Sequence, residues 1–346
     1  MTSLAVTPTL LIADQSDAGA AHVDPDLVNA WGLAFNPTGT AWISDNGTGK
    51  ATLFPPNADG GPIPSVLVPA PPAERAADAG ATASPTGMVL NPNTTNFLGD
   101  LFIASTEDGT ISGWQPSNPT TFMIRVDRSA GAPTTNAVYK GLAIVPSSPP
   151  VLLGANFRAG TIDVFNSSYV LEAAVAASGP SAWVDASLPA GYAPFNVAVI
   201  GQSVYVAYAL QDSAKMDDSP GLGQGAVSVF DFSGNLKKSL IPVASGGPLN
   251  APWGMAVAPS TWGALAGMLL VGNFGAGNIN AFDPNSGALT GRLVSSSNNL
   301  PIVIPGLWAL VFGDDADAGI SPNALYFTAG PNMEKNGRYG VLTLAQ

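Results

Sequence analysis

The feature that most constrains this chain is a short element that returns six times along its 346 residues. It reads Asn29-Ala-Trp31-Gly32-Leu-Ala-Phe, Pro85-Thr86-Gly87-Met-Val-Leu, Tyr139-Lys140-Gly141-Leu-Ala-Ile, Pro194-Phe195-Asn196-Val-Ala-Val, Pro252-Trp253-Gly254-Met-Ala-Val and Leu307-Trp308-Ala309-Leu-Val-Phe. With positions 32, 87, 141, 196, 254 and 309 as the marker, the intervals are 55, 54, 55, 58 and 55. Self-similarity at a near-constant period signals one supersecondary unit copied along the chain.

A second marker follows in the first five units, a Gly five residues before an aromatic: Gly49 and Phe54, Gly109 and Trp114, Gly160 and Phe165, Gly225 and Phe230, Gly277 and Phe282. Short β-branched and aromatic runs lie around these markers, at 41–44, 101–104, 204–207, 268–271 and 325–328, and a fourth run closes each unit, as at 65–68, 122–126 and 182–184. Four strands per repeat with no long helix between them predict an all-β fold, a six-bladed β-propeller with four-stranded blades. The blades are expected at 29–70, 84–128, 138–187, 193–244, 251–297 and 306–344. The last unit runs out of chain after three strands, so residues 8–13 are expected to supply the N-terminal strand that closes the last blade and removes open sheet edges. A ring of blades has no internal boundary, and residues 1–346 are expected to form a single domain.

Composition narrows the function classes. Against 24 acidic residues stand 12 basic ones, for a net charge of −12, and Lys237-Lys238 is the only adjacent basic pair. Nucleic acid and anionic lipid both call for clustered cations, so neither is an expected partner. Cysteine is absent and His22 is the single histidine, which excludes disulfides, thiolate chemistry, cysteine zinc sites and histidine-rich metal cages. No apolar run approaches the roughly 18 residues of a membrane-spanning helix, and no membrane insertion is expected. Residues 1–3 carry no leader; a native signal peptide is expected to have been removed, and the low charge suits a secreted or periplasmic protein. A monomer is expected.

In a propeller, function gathers where the loops between second and third strands return to one channel mouth. Asp45, Asn156 and Asn273 fall at one equivalent position, four residues before Gly49, Gly160 and Gly277. Two readings stand for them: oxygen donors facing one axis, or turn residues that tolerate left-handed backbone. Glu107, Asn156, Asn196 and Asp212 form a candidate oxygen set for a hard cation such as Ca2+; no organic cofactor is expected. Lys140 and Arg158 are rare cations at the same mouth, and Lys140 either anchors an anionic ligand group or pairs with Glu107. Trp31, with Trp253 and Trp308, is either a stacking floor for a sugar or packing between blades. Asn46 and Asn332 add polar groups, and the longer loops 208–225 and 331–340 read either as lids or contact surfaces or as tolerated surface excursions. His22 is the one general base with an ordinary pKa near neutrality, to be paired with Asp24 or Asp45 if used; with Glu107 and Asp212 it makes the candidate catalytic set. No nucleophile elbow is present. Asp314-Asp315-Ala-Asp317-Ala-Gly319 is loosely similar to a calcium loop but lacks its later glutamate.

Leu27-Val-Asn29-Ala-Trp31-Gly32, Ile43-Ser-Asp45-Asn46-Gly47-Thr-Gly49 and Leu325-Tyr-Phe-Thr-Ala-Gly330-Pro together resemble a family of secreted bacterial propellers, some with C-terminal sorting tails. The resemblance spans essentially the whole chain and implies export and six blades, without an activity. That family tends to carry Glu-x-His-Gly where this chain has Glu334-Lys-Asn336-Gly337. More distantly the blade pattern is similar to NHL-repeat and gluconolactonase-like propellers, which include calcium-dependent hydrolases of lactones and esters as well as binding scaffolds. The expectation is an extracytoplasmic propeller that binds a small molecule, glycan or protein loop at the channel mouth. The alternative is a divalent-metal-assisted hydrolase or lyase of a lactone, ester or aromatic substrate using that mouth.

Overall fold

A computed structural model describes residues 2–56, 63–130, 136–172, 182–314 and 320–345; most of the calcium-like segment 314–319 lies outside them. The strand runs fold as antiparallel sheets, and the described residues divide into two compact units, Met1–Ser65 with Pro252–Gln346, and Val66–Ala251.

In the second unit each of three repeats makes one four-stranded sheet. These are Pro85–Leu90, Phe102–Thr106, Thr110–Trp114 and Met123–Asp127; Tyr139–Val145, Val151–Asn156, Thr161–Phe165 and Leu171–Glu172; and Tyr192–Ile200, Ser203–Leu210, Gly225–Phe230 and Leu236–Ile241. The third repeat corrects one expectation: its outer strand is Leu171–Glu172, while Trp183 sits in a turn with a left-handed φ of 63°. Its ring packs on Phe230 of the following sheet at 5.7 Å, and that burial outweighs the strand propensity of Ala182-Trp183-Val184.

The first unit holds the sheet Ala30–Phe35, Ala41–Asp45, Lys50–Phe54 and Ile63–Leu67, whose last strand carries the chain across the boundary at Ser65. It also holds a nine-stranded sheet made by one long joint. Thr2–Ala13 pairs antiparallel with Arg338–Leu344 from Val6 to Ala13, and parallel with Leu289–Ser295 from Thr2 to Val6. The N-terminal strand thereby completes the last repeat, and its first residues fuse that sheet to Pro252–Val257, Leu269–Asn273, Ile279–Phe282 and Leu289–Ser295. Val6, fully buried at the change of partner, joins a core with Trp262, Leu270, Leu293 and Phe327.

The repeated marker has a structural cause. In all six repeats the ladder between first and second strands shifts register at that position: between Ala30 and Leu33, Pro85 and Met88, Tyr139 and Leu142, Pro194 and Asn196, Pro252 and Met255, and Leu307 and Leu310. Each marker is a β-bulge, which bends the strand and re-aims the neighbouring side chain. Five of the six bulge markers are Gly or Ala, Asn196 being the sixth, and at three of the glycines the next first strand of the same unit nearly touches. A Cβ on Gly87 would stand 2.6 Å from the Leu142 nitrogen, one on Gly141 would stand 2.2 Å from Asn196 Oδ1, and one on Gly254 would stand 2.5 Å from the Trp308 carbonyl.

This contrast generates a measurable difference between two glycines. Gly160 has open space around its missing side chain and a φ of +71°, so Gly160→Ala should cost about 1–2 kcal/mol of left-handed strain. Gly141→Ala must force two strands apart and should cost about 3 kcal/mol or more, read as denaturant midpoints. A larger loss at Gly160 would show that strand approach is not the tighter constraint.

Candidate functional site

In the Val66–Ala251 unit the bulge at Lys140-Gly141 turns an ammonium group inward, where Lys140 is fully buried. Its Nζ donates to Glu107 Oε1 and, at 2.6 Å, to Asp217 Oδ1, and it lies 5.8 Å from the centre of the Phe157 ring. Burial works against this charge, but Glu107 and then Asp217 outweigh it and raise the pKa of Lys140. Glu107 comes from the turn after Phe102–Thr106, held by its own N–H to the Ser84 carbonyl. Asp217 comes from the long loop after Leu210, which folds back on itself: Asp212 N–H donates to the Asp217 carbonyl at 2.7 Å, and Asp212 Oδ1 accepts from the amides of Met216 and Asp217. Gln211 ties the loop to the third repeat by donating to the Phe157 carbonyl at 2.5 Å. Arg158 meets the same loop at Met216 and donates to Asn136; burial lowers its pKa, with Asp212 acting against the shift.

Two carboxyls beside this cluster carry no site role on sequence alone, Asp218 counting there only among the charges of the 208–225 loop. Burial raises Asp218 to about 6, Lys140 opposing and Asp217 adding, and its Oδ2 is buried without a hydrogen-bond partner. Burial likewise raises Asp108 to about 6, with Ser84 N–H opposing and the charges of Glu74 and Glu107 adding. No periodicity marks either residue; both are adjacent to acids already noted, and only their burial distinguishes them.

The other unit gathers a different group. Asn29, at φ 50°, is 2% exposed, and its Oδ1 accepts from both Trp31 Nε1 and Trp308 Nε1 at 3.0 Å. Its Nδ2 donates to Glu334 Oε2 at 2.9 Å and Asn46 Oδ1 at 3.2 Å. Trp31 and Trp308 lie 3.7 Å apart, Trp253 meets each edge-on, and Phe274 stacks on Trp308 at 4.0 Å. Trp31 is only 1% exposed, so it packs within this cluster and offers no open face for stacking. Asn332, Met333 and Glu334 all have left-handed φ between 53° and 64°, strain that swings Glu334 onto Asn29. Asn332 itself is exposed and donates to Asn336 Oδ1, while Asn336 and the Gly337 amide both bind Asp14.

Asp45, Asn156 and Asn273 share a turn. The amide of the glycine four residues on closes onto each backbone carbonyl, at 3.0, 3.0 and 2.7 Å, with Gly49, Gly160 and Gly277 at φ 68°, 71° and 68°. Their side chains are buried. Asn156 donates to Asp163, Asn273 to Asn278, and Asp45 Oδ2 accepts from Thr52 N–H at 2.8 Å. Burial pushes the Asp45 carboxyl well above the usual range, the Thr52 bond opposing and Asp24 and Asp26 adding. The spacing is therefore explained by turn closure alone.

The oxygens of the candidate quartet already have partners within the chain. Glu107 holds Lys140, Asp212 Oδ1 serves two amides, Asn196 Oδ1 accepts from Val197 N–H at 2.8 Å, and Asn156 Oδ1 from Val138 and Ala159. Among the described residues no group of three or more acidic or histidine side chains is placed to hold a metal ion. His22 pairs Ile12 across a two-residue strand and lines a cavity of about 200 Å³ with Phe54, Tyr326 and Tyr339. Among the described residues no hydrogen bond or ion pair joins it to Asp24, which accepts from Asp26 N–H, or to Asp45.

Comparison with known proteins identifies relatives. No family model matches the chain. Uncharacterized protein R648 of Acanthamoeba polyphaga mimivirus is 31% identical over 336 residues, 93% of this chain and 76% of the relative. The chain belongs to the family of that mimivirus protein. Uncharacterized protein L690 of the same virus is 30% identical over 346 residues, 94% of this chain and 83% of the relative. These family members are viral, where the sequence motifs suggested secreted bacterial proteins. Among solved structures, an α-L-arabinofuranosidase from Fusarium graminearum superposes with a TM-score of 0.58 at 10% identity, covering 98% of this chain and 97% of that one. Virginiamycin B lyase from Staphylococcus aureus gives 0.52 at 11% identity over 94% and 98%. A candidate gluconolactonase gives 0.51 at 11% over 92% and 89%. These neighbours share the propeller fold, and the likeness at such identity is one of fold. No helix among the described residues is long and apolar enough to cross a membrane.

Two outcomes follow from the ion cluster. Lys140→Met leaves the partly buried Glu107 carboxylate without its countercharge and should cost about 3–5 kcal/mol, measured by urea unfolding. Asp218 binds its proton more tightly folded than unfolded, so it contributes stability below pH about 4 that is lost as pH rises toward about 6. Relative to the wild type, Asp218→Asn should gain stability across that window and hold a constant difference above pH 7; a flat difference throughout would remove the raised carboxyl.

Proposed function

We propose that this chain is a binding propeller of six blades in one domain, working outside the cytoplasm, whose Lys140 loop cluster recognises a small polar molecule or glycan. The observation that carries this reading is the state of Asp217. Its side chain is 67% exposed, yet its Oδ1 is fixed at 2.6 Å from a fully buried ammonium. A carboxylate held rigidly from behind presents its remaining lone pairs to solvent in a set direction, which is how a site is preorganised for hydroxyl or ammonium donors. The net charge of −12 disfavours anionic ligands. The low overall charge and the richness in Ser, Thr, Asn and Gly support the extracytoplasmic setting.

A second reading has its own support. Asp108 and Asp218, both raised to about 6, border the same Glu107–Lys140–Asp217 cluster, and carboxyls tuned toward neutrality serve as general acid and base. That would make the site a hydrolase or lyase, the classes of the arabinofuranosidase and virginiamycin B lyase neighbours.

Calorimetric titration with a panel of neutral mono- and oligosaccharides tests the first reading. At least one sugar should give saturable heat, weakened by about tenfold in Asp217→Asn; no saturable binding across the panel removes the glycan version. Under the enzyme reading, turnover of a lactone or aryl-glycoside panel should fall by about 10²-fold or more in Asp218→Asn while the fold is retained.

A further inference from the structure

A separate cavity in the Val66–Ala251 unit shares no lining residue with the Lys140 cluster. It encloses about 280 Å³ and is lined by Trp183, Tyr192, Tyr208 and Asp185, with Leu188 and Pro194. Asp185 is 6% exposed. Its Oδ1 accepts from the amide and hydroxyl of Ser187 at 2.9 and 2.6 Å, and its Oδ2 from Ser228 Oγ at 2.7 Å. Burial disfavours the charge, but these bonds outweigh it and hold the carboxyl below its ordinary range, so the group is an anion at neutral pH. Among the described residues no Lys or Arg forms an ion pair with it. A buried carboxylate without a countercharge is costly.

The walls specify which cation would answer it. The Trp183 backbone N–H donates to the Gly234 carbonyl at 2.8 Å, and a Cβ on Gly234 would stand 2.8 Å from the indole. Tyr208 is 3% exposed; burial raises the pKa of its phenol, the charge of Asp185 adding and Ser228 opposing. Aromatic faces around a carboxylate attract a cation over their rings. A primary ammonium brings three N–H donors that all need acceptors, yet the serines already occupy most of the acceptor capacity of Asp185. A methylated ammonium needs none, and its methyl groups suit apolar ring faces.

We propose that this pocket binds a small methylated organic ammonium, its methyl groups against Trp183, Tyr192 and Tyr208 and its charge balanced by Asp185. Choline and its neutral isostere 3,3-dimethylbutan-1-ol, titrated calorimetrically into the full chain, separate charge recognition from shape. Choline should bind saturably, and the alcohol about tenfold more weakly or worse. Asp185→Asn should lose about tenfold in choline affinity. Tyr192→Ala, on a partly exposed wall, should weaken binding several-fold at an unchanged melting temperature, and it decides the matter if Asp185→Asn fails to fold. Equal affinity for the two probes, no saturable binding of choline, or undiminished binding by the variants would overturn the proposal.

Discussion

The near-contact of successive first strands is the constraint on which the rest depends. At Gly87, Gly141 and Gly254 the neighbouring backbone leaves no room for a methyl group. At these three positions that proximity demands both a small residue and a local bend; the register shift that supplies the bend recurs in every repeat, including the fourth, where the residue is Asn196. The bulge has a chemical result at one place: in the third repeat the residue preceding the glycine is Lys140, and the bend sends its ammonium into a buried position. In the first repeat the neighbour is Trp31, whose carbonyl accepts from Thr328 Oγ1 and whose indole joins the Asn29 cluster. One backbone device thus sets up an ion cluster in one unit and an aromatic one in the other.

Charge follows an economy of scarcity. Among the described residues of the Val66–Ala251 unit, Arg125, Arg128, Lys140 and Arg158 are each placed against acids or carbonyls. Arg125 grips the fully buried Asp100 in two-pronged fashion, with Tyr169 Oη on the same carboxylate. Arg128 pairs with Asp163, Lys140 with Glu107 and Asp217, and Arg158 lies by Asn136 and Asp212. A buried charge is costly unless it is paired or well hydrogen-bonded. Acids that no cation pairs directly take one of two courses. Asp45 and Asp218 shift toward the neutral form, whereas Asp185 stays ionised by recruiting hydroxyls and an amide.

Much of the fold was legible in the residues, because close approach and turn closure each impose a residue type at a fixed place. The marker glycines and the glycines at 49, 160 and 277 announce the bulges and the left-handed turns. The extra strand at the N-terminus was legible by counting, though not its parallel pairing with Leu289–Ser295, which depends on Val6 changing partner. Candidate sites were legible in part. Lys140 and Arg158 stood out through rarity, and the pairing of Lys140 with Glu107 was one of two readings open to the sequence. Asp45, Asn156 and Asn273 showed their period but not its cause, since a turn and a ligand ring leave the same spacing. Trp183 read as a strand because propensity is local, while its burial on Phe230 is not.

By itself the sequence determined the repeat, its strand count, the acidic balance and the absence of thiol chemistry, all of which depend on residue identity and spacing alone. Only the tertiary structure decided which polar groups are buried. Asp108, Asp185 and Asp218 are indistinguishable from surface aspartates in the chain, because desolvation is a property of what packs around a carboxyl rather than of its neighbours in sequence. The pairing of Asp217 with Lys140 across 77 residues likewise exists only once the long loop has folded back over the third repeat.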